Sequence, residues 1–197
     1  MITPPYTVEA RPDTGLYNAK LGMWLFLAAE LMFYGALLSS YVFLRTAGQA
    51  WPAGADVLPL KLAALNGLVL TLVCIAVSRS WAGFYGEVAG RPWAGLGIAV
   101  TLGAVSALLI TLEHGLLLRG GASPATSTFY GIYFVMTGVQ WLHVVCATLY
   151  AAYLLGPGRG LYAADPIRFR NRLECAGLFW HFLAFMWLGI LVLFYLV

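Results

Sequence analysis

Charge is what this sequence has least of. Only 10% of its 197 residues are Asp, Glu, Lys or Arg, against roughly 25% in a soluble domain. With 61% hydrophobic residues and a mean hydropathy of +0.83, the composition excludes an ordinary soluble fold. It requires an integral membrane protein. The formal net charge is only +3, and the basic residues form no face or run outside one loop, so a nucleic-acid role is excluded. Cysteine is scarce. Cys74, Cys146 and Cys175 each lie in a different apolar run with no CxxC pair, which reads as small core residues rather than a disulfide framework. Histidine is equally scarce, at His114, His143 and His181. A haem or copper centre needs several ligands converging at one depth. His143 and His181 could meet, but His114 is too shallow, so no metal centre is expected from this chain alone. Two further absences are expected: a signal peptide, because the first apolar run is too long for one, and an internal repeat.

What is present is a series of long apolar runs. The first, KLGMWLFLAAELMFYGALLSSYVFLR, carries one charge, Glu30, between Lys20 and Arg45. About 20 apolar residues cross a bilayer core. The sequence predicts an all-α bundle of five transmembrane helices at about 18–45, 61–81, 92–118, 128–155 and 173–197. Residues 1–17 form a polar lead and 18–197 a single domain. Asn18 is expected to cap the first helix, and Pro59 to open the second. Trp51, Trp81 and Trp93 suit the membrane interface. A loop containing Asp165-Pro166, Arg168, Arg170 and Arg172 is expected before the last helix. Eight of the 11 basic residues fall in the lead, the second and fourth loops and the adjoining helix ends. The positive-inside rule then places the N-terminus in the cytoplasm and the C-terminus outside.

The intramembrane polar residues are the candidate functional groups. Glu30 lies ~15 Å along its helix from Lys20, near the centre of a core ~30 Å thick. A central carboxyl is costly in lipid, ~2.5–3.5 kcal/mol on insertion scales for Asp, so it should face protein. His143 is ~18 Å from the inner end of its helix at Leu155, which matches the depth of Glu30 and makes it the expected partner. Glu113 is expected at the water interface. Glu174 is expected in a first helical turn, stabilised by the helix dipole. Glu87 is expected to be a solvated loop residue. His143 and His181 are expected to hydrogen-bond between helices. Gly95, Ala99, Gly103 and Ala107 form a small-residue ridge for a close helix contact, inside the bundle or against a partner. Arg168, Arg170 and Arg172 mark topology and are candidates for anionic lipid headgroups, at ~1 kcal/mol per basic residue.

Three stretches carry a resemblance to a known family. Lys20-Leu21-Gly22-Met23 through Ala29-Glu30-Leu31-Met32-Phe33 is the first. Ser127-Thr128-Phe129 with Thr137-Gly138-Val139-Gln140-Trp141-Leu142-His143-Val144 is the second. Glu174-Cys175-Ala176-Gly177-Leu178-Phe179-Trp180-His181-Phe182, then Trp187, is the third. In this order they resemble subunit III of the haem–copper respiratory oxidases (the cytochrome c oxidase subunit III family), in its five-helix bacterial form without the family's first two helices. Glu30 matches the family's intramembrane glutamate. Gln140 and Ala184 depart from it, standing where the family has a histidine and an aspartate.

The resemblance implies a non-catalytic subunit of a terminal oxidase that reduces oxygen and pumps protons. It implies packing on catalytic subunit I, with subunit II nearby, in the bacterial cytoplasmic membrane. It implies haem and copper in the partners and none in this chain, with structural phospholipid as a further ligand. Within that frame Glu30, His143, Glu174, His181 and Glu113 form a buried polar network, while the three arginines and the ridge on the third span meet lipid or partner. Two other readings stay open from the residues alone: the accessory chain of a nitric oxide reductase, and a free-standing transporter or proton carrier that titrates Glu30.

Overall fold

The computed structural model describes residues 6–47, 51–86 and 91–196. Glu87 lies outside them. Among the described residues the chain is helical with no strand. The helices are α1 (Asn18–Thr46), α2 (Gly54–Val57), α3 (Leu60–Phe84), α4 (Pro92–Arg119), α5 (Thr128–Leu155), α6 (Gly158–Ala164) and α7 (Pro166–Leu191). A π-helical turn, Val192–Leu196, follows α7. Five of these segments are long and apolar enough to cross a membrane.

Helix starts follow local chemistry. The Ser127 hydroxyl accepts from the Tyr130 amide at 3.3 Å and opens α5, and Asp165 accepts from the Arg168 amide at 3.0 Å and opens α7. Such caps satisfy amides that have no partner within the helix. Pro92 and Pro166 sit in the first turns of α4 and α7, where their missing N–H costs nothing. The last span therefore begins at Pro166 and not near residue 173. The expected loop holding Arg168, Arg170 and Arg172 is two turns of helix. Asn18 does not cap α1: Tyr17 stands at that position without a side-chain cap bond.

α3, α4, α5 and α7 close a four-helix ring, and α1 lies outside it against α5 and α7. The small ridge on α4 is an internal seam. A Cβ on Gly95 would stand 3.2 Å from the Ala76 carbonyl of α3, and one on Gly103 would stand 2.5 Å from Thr148 of α5 and 2.9 Å from Trp180 of α7. Ala99 is fully buried and Ala107 packs against the core. The ridge thus lets the backbones of the ring come together at Gly95 and Gly103. Buried polar bonds tie the ring at intervals. Ser106 donates to Asn66 at 2.7 Å, and the Trp187 indole donates to the Ala63 carbonyl at 3.0 Å. At one end, Phe84, Trp93, Tyr162 and Phe169 pack in edge-to-face and tilted pairs, with ring centres 4.9–5.7 Å apart, and Arg159 covers Trp93 at 5.1 Å. Cys74 and Cys175 are buried as expected of core residues, but Cys146 is exposed on the outer face of α5.

Candidate functional site

Only Leu27, Tyr34 and Tyr41 of α1 are buried. Their spacing of seven residues makes a narrow seam rather than a broad face. Glu30 sits one turn before Tyr34 and turns toward α5, where its Oε2 lies 3.3 Å from His143 Nε2. Each side chain is 17% exposed. Oε2 is shielded from solvent and has no aligned hydrogen bond, so the imidazole is what stabilises it there.

The backbone orients the imidazole of this pair. His143 Nδ1 lies 2.9 Å from the Val139 carbonyl. A carbonyl only accepts, so Nδ1 carries a hydrogen. Nε2 faces the carboxyl. The contact sets the carboxyl of α1 against the imidazole of α5 across the seam, where a buried polar group is costly without a polar neighbour.

The seam has a second polar link. The Tyr34 hydroxyl donates to Gln140 Oε1 at 2.9 Å, and Gln140 Nε2 donates to the Leu183 carbonyl of α7 at 3.0 Å. Gln140 is fully buried. It thereby joins α1, α5 and α7 at the position where the family resemblance placed a histidine. Phe179 and Phe182 pack against His143 and Tyr34, with ring centres 5.9 Å apart in each case.

Glu174 stands well inside α7, not in its first turn, because the helix starts earlier than expected. Its partners are side chains and not the helix dipole: Lys20 Nζ at 2.5 Å and the Tyr17 hydroxyl at 2.9 Å. The same hydroxyl lies 2.9 Å from the Asn171 carbonyl, so the start of α1 is fastened to α7 at this end.

Glu113 is only 1% exposed, a buried polar group and not the water-facing charge that its place near a helix end also allowed. The Tyr195 hydroxyl donates to its Oε1, and the Tyr133 hydroxyl lies 2.9 Å from that of Tyr195. Its partners are phenols and not cations. The adjoining histidine bonds elsewhere. The Thr137 hydroxyl gives its hydrogen to the Tyr133 carbonyl at 2.7 Å, so it accepts from His114 Nε2, 2.8 Å away.

His181 does not join an interhelical network. Its ring is exposed on the outer face of α7 and among the described residues bonds only its own helix, with Nδ1 2.7 Å from the Gly177 carbonyl. Arg168 pairs with Asp165 at 3.3 Å. Arg170 bonds the Phe84 carbonyl at 3.4 Å and lies over the Tyr85 ring at 4.6 Å. The structure thus gathers Glu30 with His143, ties Glu174 to the start of α1, and leaves Glu113 and His181 in separate places. Among the described residues no three His, Cys, Asp or Glu side chains gather where they could hold a metal ion.

Sequence reasoning missed Tyr34, Gln140, Tyr133, Tyr195, Tyr17 and Lys20 as partners. A signal existed for Tyr34, four residues after Glu30 and so on the same helix face. No comparable signal marks Tyr195, because the π turn changes the angular register.

Comparison with known proteins places this arrangement. The family model for cytochrome c oxidase subunit III matches residues 13–197. Cytochrome bo(3) ubiquinol oxidase subunit 3 of Pseudomonas aeruginosa is 26% identical, over 91% of this chain and 85% of its own length. Cytochrome c oxidase subunit 3 of Thermostichus vulcanus is 29% identical, over 90% of this chain and 86% of its own. In Aeropyrum pernix a haem–copper oxidase subunit I+III matches at 25% identity, over 90% of this chain and 22% of its own length. With nearly its whole length matched, the chain belongs to the cytochrome c oxidase subunit III family.

Proposed function

We propose that this chain is the non-catalytic third subunit of a haem–copper terminal oxidase, multi-pass in the bacterial cytoplasmic membrane. The observation that carries the reading is the family match across residues 13–197. The side-chain geometry agrees with it. Each intramembrane carboxyl is occupied by an internal partner: Glu30 by His143, Glu174 by Lys20 and Tyr17, Glu113 by Tyr195. These groups hold helices together and do not converge on a substrate. Haem and copper belong to the partners in this reading, and the chain carries no redox centre of its own.

Subunit I is the partner on which the bundle packs. A relative whose name joins I and III in one chain supports that neighbourhood. Subunit II completes the complex. The N-terminus lies in the cytoplasm, as the distribution of Lys and Arg favours. Arg168 and Arg172 contact phospholipid headgroups or a cytoplasmic loop of a partner at that face, with Arg170 supporting them from its seat on Tyr85.

The test is purification in mild detergent through a tag on this chain, followed by a visible spectrum and subunit identification. A coloured complex containing haem, copper and a subunit I is expected. A solitary colourless chain, or a partner with haem and non-haem iron, would overturn the reading.

A further inference from the structure

α1 is fastened at its two ends by different chemistry. At its start, Lys20 Nζ lies 2.5 Å from Glu174 Oε1 of α7. The Tyr17 hydroxyl lies 2.9 Å from Glu174 Oε2 and 2.9 Å from the Asn171 carbonyl. The side chains of Lys20 and Glu174 are 26% and 21% exposed, and an ion pair that keeps contact with solvent holds weakly.

At the far end the fastening is buried. The Tyr41 hydroxyl donates to the Leu193 carbonyl at 2.5 Å, and Arg45 donates to the same hydroxyl at 2.9 Å. The Tyr41 ring packs on Phe194 and Trp51, with centres 4.7 and 5.4 Å away. The π turn that carries Leu193 and Phe194 is itself fixed. Tyr195 reaches Glu113 of α4, and Gly54 of α2 lies so close to the Phe194 carbonyl that no Cβ fits between them. Tyr41, Phe194 and Tyr195 are all buried, so pulling this end away would strand polar groups out of reach of water.

Between the two ends α1 stands off α7. Cavities of about 440 and 320 Å³ lie between them, bounded on the α1 side by Trp24, Leu27 and Ala28 and by Tyr34 and Leu38. Over this length the polar ties of α1 are Glu30 to His143 and Tyr34 to Gln140.

We propose that α1 is a lever, hinged at Tyr41 on the C-terminal turn and latched at Lys20 to Glu174. Along the helix Lys20 is ~31 Å from Tyr41, Glu30 is ~16 Å and Tyr34 is ~10 Å. A tilt of about 10° about the hinge moves these three points by about 5, 3 and 2 Å. Opening the latch therefore separates Glu30 from His143 and disturbs Tyr34 and Gln140 least. The ion pair at one end of α1 sets whether the carboxyl in its middle meets its partner.

The test is a pair of distances, read by pulsed electron paramagnetic resonance on the spin-labelled full chain in lipid nanodiscs, with Cys74, Cys146 and Cys175 replaced by alanine. Labels at Leu25→Cys and Leu149→Cys report the latched end, and labels at Phe43→Cys and Val135→Cys the hinged end. All four side chains are exposed. Lys20→Glu and Glu174→Lys each set like charges against one another. Each should shift or broaden the Leu25–Leu149 distance by about 4 Å and leave the Phe43–Val135 distance within about 1 Å of wild type. A preserved Phe43–Val135 distance also shows that the bundle is folded. The double variant Lys20→Glu with Glu174→Lys restores the ion pair in reverse and should recover the wild-type Leu25–Leu149 distance. An unchanged Leu25–Leu149 distance in both single variants overturns the proposal. So does equal movement of both pairs, or loss of a defined distance at both, since the hinge then does not hold. A double variant as open as the single ones also overturns it, because charge is then not what closes the latch.

Discussion

The α1 seam and the ring of α3, α4, α5 and α7 solve the same problem differently. Both hold helices together in a solvent as apolar as their own side chains, where burial of apolar surface supplies little. The ring uses close approach: Gly95, Ala99 and Gly103 let backbones come together, and the packing around them is dense. The seam has few buried positions, only Leu27, Tyr34 and Tyr41, and relies on polar links, Glu30 to His143 and Tyr34 to Gln140. The ring is therefore sensitive to added volume. The seam is sensitive to a lost partner.

The largest effect should come from volume in the ring. Gly103→Leu drives a branched side chain into Thr148 and Trp180, and overpacking of this kind costs about 3 kcal/mol or prevents folding. Unfolding of the purified chain in mixed detergent–SDS micelles measures it. The same substitution at Gly35 of α1, where a Cβ meets nothing within 4 Å, should change stability by under about 0.5 kcal/mol. Equal costs at the two sites would break the distinction between ring and seam.

Next comes the polar link inside the ring. Glu113→Leu removes the acceptor of Tyr195 and leaves two buried phenols to pair only with each other. An unsatisfied buried group costs about 1–3 kcal/mol, so a loss of about 2 kcal/mol is expected in the same assay. Glu113→Gln keeps an acceptor and should lose less than half of that. If Leu is tolerated as well as Gln, the bond to Tyr195 contributes nothing and packing alone holds this end.

Much of this architecture is legible in the sequence, and the two regions are legible to different degrees. Spans are long apolar runs, so their number follows from composition. Glu30 and His143 could be matched because depth along a straight helix is a linear function of residue number. The start of α7 was hidden because Arg168, Arg170 and Arg172 dominate its first turns and look like a loop. Yet Asp165-Pro166 is an N-cap followed by a first-turn proline, and that signal outranks the charges. The same error misplaced Glu174. Once the helix begins at Pro166, Glu174 is too far in to be a dipole partner, and Lys20 takes that role. The partner of Glu113 was hidden for another reason. Depth alone puts it at a helix end, but the π turn at Val192–Leu196 swings Tyr195 over it, and no periodic pattern announces that turn.

The seam offers the finest test, because its two halves can be removed separately or together. His143→Leu leaves the Glu30 carboxyl buried with no partner and should cost about 1.5 kcal/mol. Interhelical polar contacts in membranes average about 0.6 kcal/mol and reach about 1.7, and the stranded carboxyl puts this one at the upper end. Glu30→Leu leaves a neutral imidazole that still donates to the Val139 carbonyl, and should cost less, about 0.5 kcal/mol. The double variant should be close to wild type, within about 0.5 kcal/mol, because replacing both members of a buried pair with apolar groups of similar size removes the desolvation cost along with the attraction. The sign of the cycle carries the argument. A double variant more stable than His143→Leu means the pair exists because each partner neutralises the other. A double variant that loses the sum of the two single costs means Glu30 and His143 act independently, and their contact across the seam contributes nothing.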